Sequence, residues 1–202
     1  TQMHHKVGLT FAATLRAILR HDPDVVMVGE IRDLETAKVA FEFASTGRPV
    51  LSTVHTNSAA GAIQRLRDMG IDPYVLAATL KAVIAQRLVR RLCDHCKKPH
   101  AATPEELAMF GLNHAESPQL YRPVGCMACN GSGYDGRLGV YELITVESGL
   151  RDLIRSDGSE DAIQDMAFAE HDTLFRNAAR YIKTGQTSVE EVLRVCRREE
   201  ER

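Results

Sequence analysis

The sequence has few aromatic residues and almost no net charge. Aromatic residues make up 5% of the 202 residues, and the formal net charge at pH 7 is -2. Proteins that bind nucleic acid usually combine basic surfaces with aromatic side chains that stack on bases. We therefore expect no nucleic-acid partner.

Long apolar runs are also absent. No stretch approaches 18 uninterrupted apolar residues, and the first 30 positions hold acids, histidines and a proline where a signal peptide needs an apolar run. We expect a soluble protein of the cytoplasm, and 202 residues allow one core with a smaller appended domain. The segment starting at Thr1 is neither an initiator sequence nor a tag, so we expect the C-terminal part of a longer protein.

The first part of the chain alternates between helical and strand patterns. Short apolar runs rich in β-branched residues are typical of strands buried on both faces of a parallel sheet. The predicted fold class is therefore α/β, with a mainly parallel sheet flanked by helices. The helical patterns cover residues 10–20, 34–46, 58–70 and 73–92, and the strand patterns cover 25–29 and 50–54.

Composition divides the chain into three predicted segments. Residues 1–92 carry the alternating pattern, and residues 93–136 are rich in cysteine, glycine and proline, which is typical of a small loop-rich module. Residues 137–202 predict a short strand over 138–146 and two or three C-terminal helices. Thr187 and Ser188 offer a capping signal for the last helix.

Four of the five cysteines form two pairs with zinc-like spacing, Cys93-x-x-Cys96 and Cys126-x-x-Cys129. Four thiolates complete a tetrahedral shell and leave no position for water, so the pattern predicts a structural zinc ion. Metal binding would supply folding energy to a module that has few apolar residues. Unpaired structural cysteines and a redox dithiol are the alternatives, and two histidines, His95 and His100, are competing ligands that we rank lower.

The first apolar run ends in Gly29-Glu30. In P-loop NTPases a buried strand that ends in an acid directs a carboxylate towards the magnesium ion and the phosphates. The four apolar residues of this run, Val25 to Val28, also fit a plain strand followed by a polar turn. The pattern alone is therefore weak evidence for a nucleotide site.

A longer match surrounds this strand. Residues 19–33 closely resemble the signature of the secretion-superfamily ATPases, which include the type II secretion ATPase and the type IV pilus extension and retraction motors. In that family this strand is the Walker B segment, and the resemblance implies that Glu30 acts on the magnesium ion and its waters. The matching positions are Pro23, Asp24, Gly29, Glu30, Arg32 and Asp33.

Other segments extend the resemblance. Residues 51–57 look like the family's histidine box, in which His55 would contact or sense the phosphates. Residues 2–12 resemble the segment before the signature, and residues 133–143 resemble a segment that follows the cysteines. The four cysteines occur in type II secretion and many pilus extension ATPases, whereas retraction motors usually lack them.

The resemblance implies a partial RecA-like core of a P-loop NTPase that hydrolyses ATP with magnesium in a homohexameric ring. It also implies partners at an inner-membrane platform, where the protein would be peripheral on the cytoplasmic side. Such rings complete each nucleotide site with arginines from a neighbouring subunit. The candidates are Arg32 and Arg65, followed by Arg87, Arg90 and Arg91, although each also fits an ordinary surface ion pair.

One element of this family is missing from the sequence. No phosphate-binding loop of the form G-x-x-x-x-G-K-[ST] occurs in the 202 residues, and by resemblance it precedes residue 1. We therefore expect the chain alone to bind ATP weakly and not to hydrolyse it. Two alternatives are a zinc-dependent interaction module without nucleotide function and a zinc-ribbon nucleic-acid binder, which the charge and aromatic content disfavour.

Overall fold

The structure is a computed structural model that describes residues 10–111, 119–169 and 171–196. Most of the segment 2–12 lies outside the described residues. In chain order the elements are α1 (Phe11–Leu19), β1 (Val26–Val28), α2 (Leu34–Ala44), β2 (Val50–Ser52), α3 (Ala59–Asp68), α4 (Pro73–Thr79), β3 (Ala82–Leu92), β4 (Lys98–Ala101), α5 (Pro104–Met109), β5 (Gln119–Arg122), β6 (Tyr134–Thr145), α6 (Ser148–Arg155), α7 (Glu160–Ala167), α8 (Leu174–Lys183) and α9 (Val189–Cys196), with a short 3-10 helix at Met127–Cys129.

The predicted α/β alternation is confirmed for α1 to α3, and β1 and β2 pair in parallel with Val26 opposite Val50. The prediction of one helical segment over residues 73–92 is wrong, because α4 ends at Thr79 and β3 follows. Along most of β3 the exposure alternates from one residue to the next, which is the period of a strand that pairs with β6. Four helices follow β6 in the described chain, rather than two or three.

The chain forms two compact units. The first unit takes its described residues from Thr1–Val83 and Ile144–Ala169, and the second from Ile84–Leu143 and Glu170–Arg202. The division into three consecutive segments stays a prediction.

In the first unit, the strands β1 and β2 carry helices on one side. Val26 and Val28 are buried, whereas Met27 between them is 73% exposed. The expectation that this strand is buried on both faces is therefore wrong, because successive side chains point to opposite faces and the described residues cover only one.

A buried arginine joins two helices of the first unit. The Arg67 side chain on α3 is 6% exposed. Its guanidinium donates to the carbonyl oxygens of Gly158 and Ile154 at 2.5 and 2.9 Å. Ile154 lies in the last turn of α6 and Gly158 directly precedes the Ser159 cap of α7, so Arg67 ties α3 to the connection between these two helices.

The second unit has its own apolar core. Leu107 and Phe110 from the α5 region pack with β3, β5, β6, α8 and α9, and the rings of Phe110 and Phe175 stack with centroids 4.7 Å apart. β4 and β5 pair antiparallel, with Lys98 opposite Arg122. Cys196 is buried in this cluster.

A buried carboxylate lies beside this core. Glu191 on α9 is fully buried, and its oxygens accept hydrogen bonds from the amide and guanidinium of Arg90 and from the guanidinium of Arg194, at 2.6 to 2.9 Å. Burial raises the pKa of Glu191, but the two arginines outweigh it and lower that pKa to about 2. The predicted cap is confirmed, since the Ser188 hydroxyl accepts from the Glu191 amide at 3.3 Å.

Among the described residues, no helix has both the length and the apolar character needed to cross a membrane.

We predict that Glu191→Gln lowers the free energy of unfolding by about 3 kcal/mol, because two arginines lose a buried charged partner. The folded-state pKa is depressed, so the stabilisation is present above the usual carboxyl range and is lost as the pH falls towards about 2. Urea unfolding at several pH values measures both effects.

The matched control is Glu190→Gln, at the neighbouring exposed position of the same helix. It should change stability by less than about 0.5 kcal/mol. Equal stabilities for the two variants between pH 5 and pH 8 would contradict the assignment.

Candidate functional site

The signature carboxylate and the histidine of the second motif meet at one edge of the β1–β2 sheet. Glu30 lies two residues after β1, and His55 lies three residues after β2. Because the strands are parallel, both segments leave the sheet at the same edge. The Nε2 atom of His55 lies 3.1 Å from Oε2 of Glu30.

Arg32 completes this cluster. Its guanidinium lies 2.5 Å from Oε1 of Glu30. The hydrogen bond from Arg32, followed by that from His55, lowers the pKa of Glu30, so the carboxylate is ionised at neutral pH. The Glu30 side chain is 20% exposed, whereas those of Arg32 and His55 are 68% and 86% exposed. An ionised carboxylate with two exposed nitrogen-bearing partners can bind a hydrated cation and an anionic ligand at the same edge.

Asp33, another acid of the signature, has a structural role. Asp33 caps α2, since its Oδ1 accepts from the Thr36 amide at 2.8 Å and its Oδ2 accepts from the Thr36 hydroxyl at 3.2 Å. This cap fixes the start of the helix immediately after Arg32. An aspartate directly before a helical pattern is the sequence signal for such a cap.

The remaining candidate arginines lie elsewhere. Arg65 is exposed on α3, and its role stays a prediction. Arg90 lies in the second unit against Glu191 and the Tyr134 ring, with its guanidinium carbon 4.0 Å from the ring centroid. Arg91 pairs with Asp94 at 2.6 Å. Arg67, which sequence reasoning missed, resembles its exposed neighbours in sequence and is distinguished only by tertiary contacts.

The four paired cysteines converge in the second unit. Their sulfur atoms all lie within 4.8 Å of one another. The distances are 3.9 Å for Cys93–Cys126, 3.8 Å for Cys96–Cys129 and 3.7 Å for Cys126–Cys129. A tetrahedral shell with metal–sulfur bonds of about 2.3 Å places its sulfurs about 3.8 Å apart. The four thiols therefore fit one tetrahedral metal ion.

Backbone amides donate hydrogen bonds to two of these sulfurs. The amides of Cys126 and Gly133 donate to Cys129 Sγ at 3.2 Å each, and the amide of Gly125 donates to Cys96 Sγ at 3.3 Å. Gly133 has φ of +76°, and a Cβ there would lie 2.5 Å from Cβ of Pro123, so glycine is required for this approach. Such amide donors orient metal-binding thiolates.

The thiols differ in acidity. Burial raises the pKa of Cys129, but the amides of Cys126 and Gly133 outweigh it and lower that pKa to about 6. The main chain of His95 lowers the pKa of Cys93, but burial and the neighbouring thiols outweigh it and raise that pKa to about 11. Four thiolates this close repel one another, so their full ionisation requires a cation between them.

The competing histidines have other positions. Nε2 of His100 lies 3.4 Å from Oε1 of Glu106, and His95 is exposed. In the part of the chain that the structure describes, the group with metal-ligand geometry consists of the four cysteines alone.

Comparison with known proteins gives a consistent result. The sequence profile described as "Type II/IV secretion system protein" matches residues 1–194. The chain is 51% identical over 197 residues to type II secretion system protein E of Aeromonas hydrophila, covering 98% of this chain and 39% of that protein. It is 46% identical over 196 residues to the type IV pilus assembly ATPase PilB of Thermus thermophilus, covering 96% of this chain and 22% of that protein.

Solved structures share the fold. The pilus retraction motor PilT with bound ADP superposes with a TM-score of 0.62 at 27% identity, over 92% of this chain and 43% of that one. The Legionella pneumophila ATPase DotB superposes with a TM-score of 0.63 at 21% identity, over 91% of this chain and 41% of that one. The likeness to DotB supports the fold alone.

These matches cover nearly the whole chain, although the chain spans about two fifths or less of the relatives' length. The predicted resemblance is confirmed, and the chain belongs to the type II/IV secretion system protein family of secretion ATPases.

Proposed function

We propose that this chain carries the Walker B carboxylate and the phosphate-sensing histidine of a motor that hydrolyses ATP to power type II secretion or type IV pilus assembly. The observation that carries the proposal is the 3.1 Å contact between Glu30 and His55 at the carboxyl edge of two parallel strands. Ligands of open α/β sheets bind at this edge.

The proposed roles follow from charge and exposure. The ionised Glu30 would hold the waters of a magnesium ion, which would supply positive charge beside the nucleotide phosphates. His55 and Arg32 are both more exposed than Glu30, so they can turn towards a phosphate while the carboxylate stays in place. His55 would thereby contact the terminal phosphate when that phosphate is present.

The phosphate-binding loop is proposed to come from the rest of the full-length protein. The 202 residues contain no G-x-x-x-x-G-K-[ST] sequence. Backbone amides and the lysine of such a loop supply most of the phosphate contacts in P-loop enzymes. The chain alone should therefore bind ATP weakly and show no turnover.

We propose the assembly of the full-length protein from its likeness to the family. The full-length protein forms a homohexameric ring in the cytoplasm, bound to an inner-membrane platform through partner proteins. Arg65, exposed on α3, is the candidate to reach the nucleotide of a neighbouring subunit.

The second proposed cofactor is a structural zinc ion held by Cys93, Cys96, Cys126 and Cys129. The sulfur spacing fits a closed tetrahedral shell, and a shell of four thiolates leaves no position for a reacting water. The ion would join the two segments that carry the cysteine pairs, and so hold β4 and β5 at a common end.

We predict that Glu30→Gln in the full-length protein lowers kcat for ATP hydrolysis by about 100-fold or more, because the neutral amide no longer balances the magnesium charge. Binding of MgATP and thermal stability should be retained. Steady-state turnover and nucleotide titration measure the two effects.

Glu35→Gln is the control, since Glu35 is an exposed acid that pairs with Arg16 on the same unit. Its turnover should match the wild type. Normal turnover in Glu30→Gln would remove Glu30 from the mechanism. It would favour the alternative of a zinc-dependent interaction module without nucleotide function, which also predicts unchanged partner binding in this variant.

We predict about one zinc ion per chain in the purified protein, and none after Cys96→Ser combined with Cys129→Ser. Loss of the ion should also raise amide exchange across residues 93–136, because the metal supplies folding energy there. Elemental analysis and hydrogen exchange provide the measurements.

Cys196→Ala is the matched cysteine control, because Cys196 is buried in the core away from the four-cysteine group. That variant should keep its zinc. Unchanged zinc content in the double variant would place the ligands elsewhere.

A further inference from the structure

The parallel ladder between β1 and β2 changes register at Glu30. The Val26 amide donates to the Pro49 carbonyl, and Val26 and Val28 lie opposite Val50 and Ser52. In a regular parallel ladder every second residue of a strand donates to the other strand. The regular continuation would therefore be a bond from the amide of residue 30 to the carbonyl of residue 53.

The structure departs from this continuation by one residue. The amide of Ile31, rather than that of Glu30, donates to the Thr53 carbonyl at 2.9 Å. Glu30 is thus an extra residue on the β1 side, in the manner of a β-bulge. Bulges redirect a side chain at the end of a strand and are common beside active sites.

The Thr53 side chain forms a hydrogen bond across this change of register. Its hydroxyl donates to the Gly29 carbonyl at 2.7 Å, while its own carbonyl accepts from Ile31. One residue of β2's continuation therefore holds both neighbours of Glu30 in place. Ile31 is 6% exposed, which anchors the second point of attachment in the core.

Thr53 also fixes the position of His55. Thr53 precedes His55 by two residues, so fixing Thr53 against Gly29 fixes the start of the segment that brings His55 to Glu30. A β-branched side chain has few rotamers, which suits a hydroxyl that must keep one direction.

We propose that Thr53 is a positioning residue that holds Glu30 and His55 in their catalytic arrangement through its hydroxyl. The proposal rests on the function proposed above, since it assigns Thr53 to the same nucleotide site. Thr53 itself is exposed, so its hydroxyl would be solvated without cost if it had no positioning role.

The test is a series of variants in the full-length protein, measured by steady-state MgATP hydrolysis. Thr53→Val keeps the shape and removes the hydroxyl, and it should lower kcat by about tenfold or more with KM changed by less than about twofold. Thr53→Ser keeps the hydroxyl and should retain most of the turnover. Thr145→Val, at another exposed strand threonine of the same unit, should match the wild type.

The outcomes separate this proposal from the one on which it rests. Normal turnover in Glu30→Gln would overturn the proposed function. An inactive Glu30→Gln together with wild-type turnover in Thr53→Val would overturn the positioning role alone, as would equal losses for Thr53→Val and Thr53→Ser or a change confined to KM. If Thr53→Val melts below the assay temperature, Thr53→Ala compared with Thr53→Ser decides the same question.

Discussion

The parallel pairing of β1 with β2 is the constraint from which the candidate nucleotide site follows. With Val26 opposite Val50, the two strands end together, and the residues after them, Glu30 and His55, come within hydrogen-bond distance although they are 25 positions apart. Helices on one side hold the pair in place, and the Asp33 cap starts α2 directly after the site. The proximity of Glu30 and His55 thus follows from the register of the two parallel strands.

The second unit contains a buried charged carboxylate and a group of four cysteine sulfurs. Glu191 is tolerated in the interior because Arg90 and Arg194 occupy its oxygens, and the Tyr134 ring lies against the Arg90 guanidinium. The sulfurs of Cys96 and Cys129 accept from backbone amides, and the approach of one of these amides requires glycine at position 133. In both places polar groups contribute to the stability that apolar packing provides elsewhere in the unit.

Much of the fold and of the site was predictable from local patterns. Periodicity located α1 to α3 and their two strands, and the cysteine spacing identified four residues whose sulfurs the structure brings together. Periodicity failed at β3, because its alternation is weakened by a basic run that also fits a helix. It could not separate Arg67 from Arg65 either, since burial depends on which helix packs against α3.

The sequence by itself determined the family, the chemistry-bearing residue types and the order of the elements from α1 to α3, because motifs and short-range periodicity are properties of neighbouring residues. Only the tertiary structure decided that Arg90 partners Glu191 and that Glu30 occupies an extra position held by Thr53. These arrangements join residues up to 101 positions apart or depend on a one-residue change in strand register. Neither leaves a periodic signal in the chain, since both arise from which backbone groups meet after folding.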